Sequence, residues 1–323
     1  MYRVLVTGSE GNLMQAVIPK LIDKGYEVQG ADNLFRHGKR SNTKGYTFHK
    51  TELTDRRAVA KLLDKTDPEF IIQGAARIYG VGGFNRYCAD ILGEDLVLHS
   101  NILKESVNRS VSRVVYISSS MVYETIQEGA VKEKYTNGIM MPYTDYGLSK
   151  IANERMSEAY ERQYGLDYTI WRPFNIVAPS EIAEEIHGDS HVFADLIKHM
   201  VIERRSLIPI IGDGNQVRCY THIDDVSTAI AEYSFDHITE NQTYNLGNRE
   251  PMSVRDLAAL IHDISTKDLA LKLYPLKFKT VKKYKDDVKY RVPDVSKAKR
   301  DIGWKPTKKT RESIRECIER ALL

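Results

Sequence analysis

The sequence predicts an α/β fold: a doubly wound parallel sheet over about the first 170 residues, with a smaller C-terminal domain behind it. Three observations carry this expectation. Short apolar runs alternate with amphipathic stretches through the first two thirds of the chain, the pattern of strands covered by helices. A glycine turn, Gly8-Ser9-Glu10-Gly11, directly follows the first apolar run. After Pro173 the rhythm changes, as Pro179, Pro209, Gly212, Gly214, Pro251, Pro275, Pro293 and Pro306 punctuate shorter elements. The expected division is 1–173 for the first domain and mainly 174–323 for a partly discontinuous second one.

The expected strands are Val4-Leu5-Val6, Glu27-Val28-Gln29-Gly30, Phe70-Ile71-Ile72, Val114-Val115-Tyr116-Ile117 and Tyr168-Thr169-Ile170-Trp171. They read as apolar throughout because both faces of such a sheet are covered. A helix from Leu13 to Lys24 ends at Gly25, and one from Tyr146 to Tyr164 ends at Gly165, both suited to a left-handed C-cap. No internal repeat or low-complexity tract interrupts the pattern.

The composition excludes several functions. A net charge of +3 on 323 residues is too small to argue for nucleic acid or a membrane surface. The Lys277–Lys289 stretch reads as a solvated face. Cys88, Cys219 and Cys317 are far apart and lack metal-ligand spacing, so no metal is expected and the thiols suit a reducing compartment. No signal pattern opens the chain and no apolar run reaches membrane-spanning length, so a cytoplasmic protein is expected.

Strand, glycine turn and helix in that order let the first helix present free N–H groups and its positive end to a pyrophosphate. Gly8 and Gly11 permit the tight turn, although G-x-x-G falls short of the generic G-x-G-x-x-G fingerprint. Asp32 stands 24 residues after Gly8, where strand two should end. A carboxylate there can bind both adenosine ribose hydroxyls and repel a 2′-phosphate, favouring NAD over NADP. Arg36, Lys39 and Arg40 follow closely and would soften that preference. Downstream, Tyr146 and Lys150 lie four apart on one helix face. A phenol with a pKa near ~10 is a poor base; a cation one turn away favours the phenolate and brings it toward the working range. A hydroxyl from Ser118-Ser119-Ser120 could hold a substrate oxygen against that phenol.

Together these residues resemble the extended short-chain dehydrogenase/reductase family, in its nucleotide-sugar epimerase/dehydratase branch. Thr7-Gly8-x-x-Gly11, Asp32-Asn33-Leu34, Gly74-Ala75-Ala76, Ser118 to Tyr123 and Tyr146-x-x-x-Lys150 fall in family order. So do Arg172-Pro173-Phe174-Asn175, Gly212 to Arg218 and Arg291-x-Pro293-Asp294-x-Ser296-Lys297-Ala298-Lys299. The resemblance implies a Rossmann-type doubly wound sheet with a smaller C-terminal substrate-binding domain, NAD as cofactor, a nucleotide-diphosphate sugar as substrate and a homodimer built on helices near 94–109 and 146–164. It implies Tyr146 as acid/base, Lys150 on the nicotinamide ribose and Ser119 as the catalytic hydroxyl. Gly8, Gly11, Asn12, Leu13, Asp32, Asn33, Leu53, Ala75, Ala76 and Pro173 would line the cofactor. Ser120, Asn175, Arg218 and Arg291 would contact substrate, and guanidinium groups suit a diphosphate.

Four features depart from the family pattern. Met14 replaces a small residue where helix and strand touch, so local repacking must absorb it. Glu10 puts a negative charge in the phosphate turn and is expected to point to solvent. Glu94-Asp95 stands where the family carries an Asn supporting the catalytic tyrosine. Met121 replaces the Glu of 4,6-dehydratases and decarboxylases and the Cys of 3,5-epimerases. A thioether neither removes nor donates a proton. Hydride transfer at C4 needs no such group, so the reading favours an NAD-dependent nucleotide-sugar 4-epimerase, with a 4-dehydrogenase or reductase as the alternative. A 4,6-dehydratase, a 3,5-epimerase or a non-catalytic dinucleotide sensor ranks below both. His187 or His191 could supply a proton, against the simpler reading of a surface or core histidine. Arg77 to Phe84 is similar to the glycine-bearing loop of GDP-fucose synthases and GDP-mannose 3,5-epimerases, which suggests a GDP-linked sugar, or else a flexible loop over the cofactor.

Overall fold

The computed structural model describes residues 2–36, 43–126, 128–138, 141–284 and 287–323. Lys39 and Arg40 lie outside the described residues, as do two positions of the Lys277–Lys289 stretch. The chain begins β1 (Arg3–Thr7), α1 (Asn12–Asp23), β2 (Glu27–Asp32), β3 (Thr47–Lys50), α2 (Arg56–Thr66) and β4 (Phe70–Gln73). It continues through α3 (Val81–Arg86), α4 (Cys88–Asn108), β5 (Arg113–Ile117), β6 (Ala130–Val131), α5 (Asp145–Tyr164) and β7 (Asp167–Pro173). Then come β8 (Ile176–Val177), α6 (Val192–Ile197), β9 (Ile208–Ile211), β10 (Val217–Cys219), β11 (Thr221–His222) and α7 (Ile223–Tyr233). The last elements are β12 (Gln242–Leu246), β13 (Pro251–Ser253), α8 (Val254–Asp263), β14 (Phe278–Val281), β15 (Tyr290–Pro293), α9 (Ser296–Ile302) and α10 (Thr310–Ala321).

Seven strands form a parallel sheet in the order β12-β7-β5-β4-β1-β2-β3. Alternation along β1 sends Val4 and Val6 into one core with α1 and α7, and Leu5 into the other with α2 and α4. Order reverses between β1 and β4, so the loops after Thr7 and Gln73 part and open a crevice at the strand ends. A four-stranded sheet, β13-β10-β15-β6, belongs to the second layer, whose core joins Phe193, Leu196, Ile210, Leu257, Ile261 and Ile314. Two strands cross position 173: β6, from before it, pairs with β15, and β12, from after it, pairs with β7.

Met14 is repacked as the sequence requires. It is 2% exposed and fills the space left by Gly74, where an added Cβ would stand 2.8 Å from its Cγ and Sδ. Glu10 does not point to solvent. It is 5% exposed, and its carboxylate accepts the Tyr46 hydroxyl. Gly30 is the cause: without a side chain on β2, the Tyr46 ring lies where a Cβ would stand and its hydroxyl reaches the turn.

Candidate active site

A cavity of about 430 Å³ occupies the crevice and extends into the second layer. Every cofactor, catalytic and substrate residue chosen from the sequence lines it. At one end, Gly8 adopts φ +67°, and a Cβ there would stand 2.7–2.8 Å from the backbone of Ala75 and Gly74. Only glycine suits that conformation and approach. The α1 N-terminus has no side-chain cap and no acidic residue in its first turn, so its N–H groups and positive dipole end remain available. Asp32 is fixed across the turn, Oδ2 accepting from Glu10 N–H at 3.1 Å and Oδ1 from Leu34 N–H at 2.7 Å. An open helix N-terminus, a glycine cradle and an anchored carboxylate in one cavity fit a dinucleotide.

In the centre, β5 delivers Ser118 to Ser120 and α5 delivers Tyr146 and Lys150. Thr144 caps α5, accepting from Gly147 N–H at 3.0 Å, and Glu124 accepts from both the Thr144 N–H (2.7 Å) and hydroxyl (2.6 Å). These contacts fix the turn in which Tyr146 sits. Lys150 Nζ donates to Ile117 O at 3.2 Å and stands 5.5 Å from the Tyr146 ring centroid. The expected downward shift of the phenol is not found. Burial pushes the Tyr146 phenol up; the Ser119 hydroxyl hydrogen bond and the Arg291 charge oppose this, whereas Asp95 reinforces it. Burial likewise pulls Lys150 down, against the fields of Asp95 and Glu154.

Elsewhere along the cavity, Arg218 on β10 stands directly beside Arg291 on β15. Arg218 meets Asp287 at 3.2 Å, while Arg291 donates to Asn175 Oδ1 at 2.9 Å and lies against the Met121 sulfur. Burial and the neighbouring Arg218 lower the Arg291 guanidinium to about 9, and its Nε has no hydrogen-bond partner among the described residues. Two adjacent cations, Arg218 buried and Arg291 half-buried, suit a diphosphate. Asn175 tolerates φ +37°, a conformation open to Asn more than to most residues. His187 and His191 both line the cavity. Burial lowers the His191 imidazole, but Glu181, at 2.8 Å from Nδ1, outweighs it and holds the ring above its usual value.

Several features escaped the sequence reading. Phe84, on α3, stacks on Tyr146 with centroids 4.3 Å apart and planes 9° apart. The glycine-bearing loop is partly helical and docks backbone to backbone on the second layer: Gly80 N–H donates to Asp189 O and Gly82 N–H to Gly188 O, each at 2.8 Å. Arg86–Asp189 (2.5 Å) and Arg36–Glu184 (3.1 Å) complete this roof. Below it, Arg172 binds Glu154 through Nε (2.8 Å) and Nη2 (2.5 Å), and Ser118 donates to the same carboxylate. Glu94 pairs outward with Arg77 at 2.5 Å, whereas Asp95 turns inward and is 1% exposed. Among the described residues no group of three or more His, Cys, Asp or Glu could hold a metal, and no helix is long and apolar enough to cross a membrane.

Residues 4–247 match the model of the NAD dependent epimerase/dehydratase family. A GDP-L-fucose synthase of Sinorhizobium fredii is 25% identical over 264 residues, covering 80% of this chain and 78% of its own. A putative UDP-glucose 4-epimerase of Methanocaldococcus jannaschii is 28% identical over 319 residues, covering 98% and 97%. The crystal structure of a Thermotoga maritima UDP-glucose 4-epimerase with UDP-glucose superposes with a TM-score of 0.83 at 26% identity, covering 99% of this chain and 98% of that one. The chain therefore belongs to the NAD-dependent epimerase/dehydratase family, of the extended short-chain dehydrogenase/reductase type, and is an NAD-dependent enzyme.

Proposed function

We propose that this enzyme is a nucleotide-sugar 4-epimerase acting through a transient 4-keto sugar. One observation carries the reading: beside Ser119 and Tyr146, the side chain at 121 is a thioether lying against Arg291, with no proton to give or take. The Gly8–Gly11 turn and the α1 N-terminus would hold the pyrophosphate of NAD, Asp32 its adenosine ribose and Lys150 its nicotinamide ribose. Bound there, NAD supplies a reversible hydride acceptor. Tyr146 takes the proton of the C4 hydroxyl and later returns it, while Ser119 holds that oxygen in line. Arg218 and Arg291 grip the diphosphate, so the sugar can turn over without leaving. The roof over the cleft favours retention of cofactor and keto sugar, which epimerisation needs and net oxidation does not. Residues 174–323 mainly form the substrate domain in this reading.

His191 favours a second reading, proton exchange at C3 or C5 of the keto sugar, because it lines the cavity with its protonated form stabilised by Glu181. Incubation in deuterium oxide with a panel of UDP-, GDP-, dTDP- and CDP-sugars, followed by mass spectrometry and NMR, separates the possibilities. The 4-epimerase changes couplings at C4 without gaining carbon-bound deuterium. Deuterium at C3 or C5 supports the His191 reading. Net loss of two hydrogens indicates a dehydrogenase, and loss of water contradicts the role given to Met121.

A further inference from the structure

Tyr146 must present its hydroxyl to a substrate oxygen, and where that hydroxyl lies follows the tilt of the ring. One face of the ring is covered by Phe84, with centroids 4.3 Å apart and planes 9° apart. Tyr146 is buried, Phe84 is half-buried, and both line the cavity. Phe84 comes from α3, a helix of six residues with glycine at 82 and 83. So short and glycine-rich a helix needs tertiary contacts to persist. The second layer supplies them. A Cβ on Gly80 would overlap the carbonyl oxygens of Ser190 and Gly188, and one on Gly82 would stand 2.9 Å from Asp189 Oδ1 and 3.0 Å from the Gly188 carbonyl carbon. A Cβ on Gly83 would overlap the Tyr79 side chain, which packs on Tyr87 with centroids 4.8 Å apart. Within the helix, Phe84 N–H donates to Gly80 O at 3.1 Å, and Arg86 is tied to Asp189 at 2.5 Å. Phe84 is therefore held on Tyr146 from the second layer.

We propose that Phe84 is a positioning residue of the reaction: stacked on Tyr146 and seated on residues 188–190, it holds the phenol at the tilt from which its hydroxyl reaches the substrate oxygen. This rests on the reading of Tyr146 as the acid/base. The Thr144 cap fixes the backbone of the turn that carries Tyr146, but a backbone contact does not set the ring torsions. Lys150 Nζ, 5.5 Å from the ring centroid, is anchored to Ile117 O and offers no flat surface. The Phe84 ring does offer one, and parallel rings resist tilting because they lose contact as they splay. Rocking the hydroxyl by about 1 Å would cost on the order of 10²-fold in rate.

Phe84→Leu removes the flat face and keeps an apolar side chain. Its kcat should fall by about tenfold to a hundredfold, with KM for the nucleotide sugar and affinity for NAD nearly unchanged. Phe84→Tyr, which restores a ring, should recover most of the loss. Gly82→Val keeps the ring but pushes its helix off Gly188, so kcat should fall likewise, and combining it with Phe84→Leu should lower kcat little further. A residue that only packs would lower stability without splitting kcat from KM. Chemical denaturation of the full-length chain without substrate measures the stack itself, through Phe84→Leu, Tyr146→Leu and the double variant. The double variant should be more stable than the sum of the singles predicts, by about three- to tenfold in the unfolding constant. Should Tyr146→Leu fail to fold, Tyr146→Met takes its place in the cycle. A kcat for Phe84→Leu close to wild type, a fall in Phe84→Tyr as large as in Phe84→Leu, or additive destabilisation would overturn the proposal and leave Phe84 a packing residue. The denaturation cycle needs no substrate, and the kinetic comparison applies to any reaction that Tyr146 begins, so failure of either is distinct from failure of the 4-epimerase reading.

Discussion

Tyr146→Phe is expected to lower kcat by about 10³-fold or more while the fold and NAD binding survive. The substitution removes one hydroxyl from a ring whose position is set by other contacts: stacking on Phe84, the Thr144 cap of α5 and the backbone of the helix itself. The phenol's proton cannot be supplied by its neighbours. Ser119 is a poor base at any working pH, Lys150 is engaged with Ile117 O, and Met121 carries no exchangeable proton. Calorimetric titration of NAD into the variant should give an affinity close to wild type, whereas single-turnover rates should collapse. Turnover within a few-fold of wild type would remove Tyr146 from the mechanism.

The largest loss of stability is expected at the floor of the site. Arg172 and Glu154 are 3% and 2% exposed at the side chain and join β7 to α5. Arg172 also donates to the Tyr123 hydroxyl (2.6 Å), which donates to Asn245 on β12 (2.8 Å), and to Thr136 (2.8 Å). Arg172→Leu strands the Glu154 carboxylate in the interior, a loss of about 3–5 kcal/mol. The chain should show a much lower denaturation midpoint with an unchanged slope. Because Ser118 donates to the same carboxylate, the strand end carrying Ser119 and Ser120 should lose its setting as well. A companion Arg172→Met/Glu154→Leu variant, which leaves no charge behind, should recover much of the stability. Equal loss in both would mean that packing rather than uncompensated charge is at stake.

The sheet was legible because its strands are written locally. Buried on both faces, β1, β4 and β5 carry short apolar runs, and Gly25 and Gly165 mark two helix ends. The residues chosen for the cofactor and the reacting centre share one cavity because the βα order that the sequence displays sends them all to the strand ends. What escaped depends on partners distant in sequence. β12 reads as one of many short segments after Pro173, and only its pairing with β7 makes it the seventh strand. Glu10 looks solvent-bound until Gly30 lets Tyr46 cross β2 to meet it. Phe84 sits in a glycine-rich stretch that suggests mobility, yet the same glycines allow docking on 188–190 and bring its ring onto Tyr146. Asp95 was visible as a departure, but its inward turn away from Glu94 follows from packing of α4 on α5. Arg172 stood in a recognised motif; its role emerges only when Glu154, eighteen residues earlier on α5, is seen beneath it.

The most direct test is the fate of hydrogen at the reacting carbon. With a nucleotide sugar deuterated at C4 and the wild-type enzyme, the product should be the C4 epimer with deuterium still at C4 and no net formation of NADH. Product that has exchanged that deuterium for solvent hydrogen, or that has lost water, would contradict a hydride removed and returned at one carbon under the control of Tyr146.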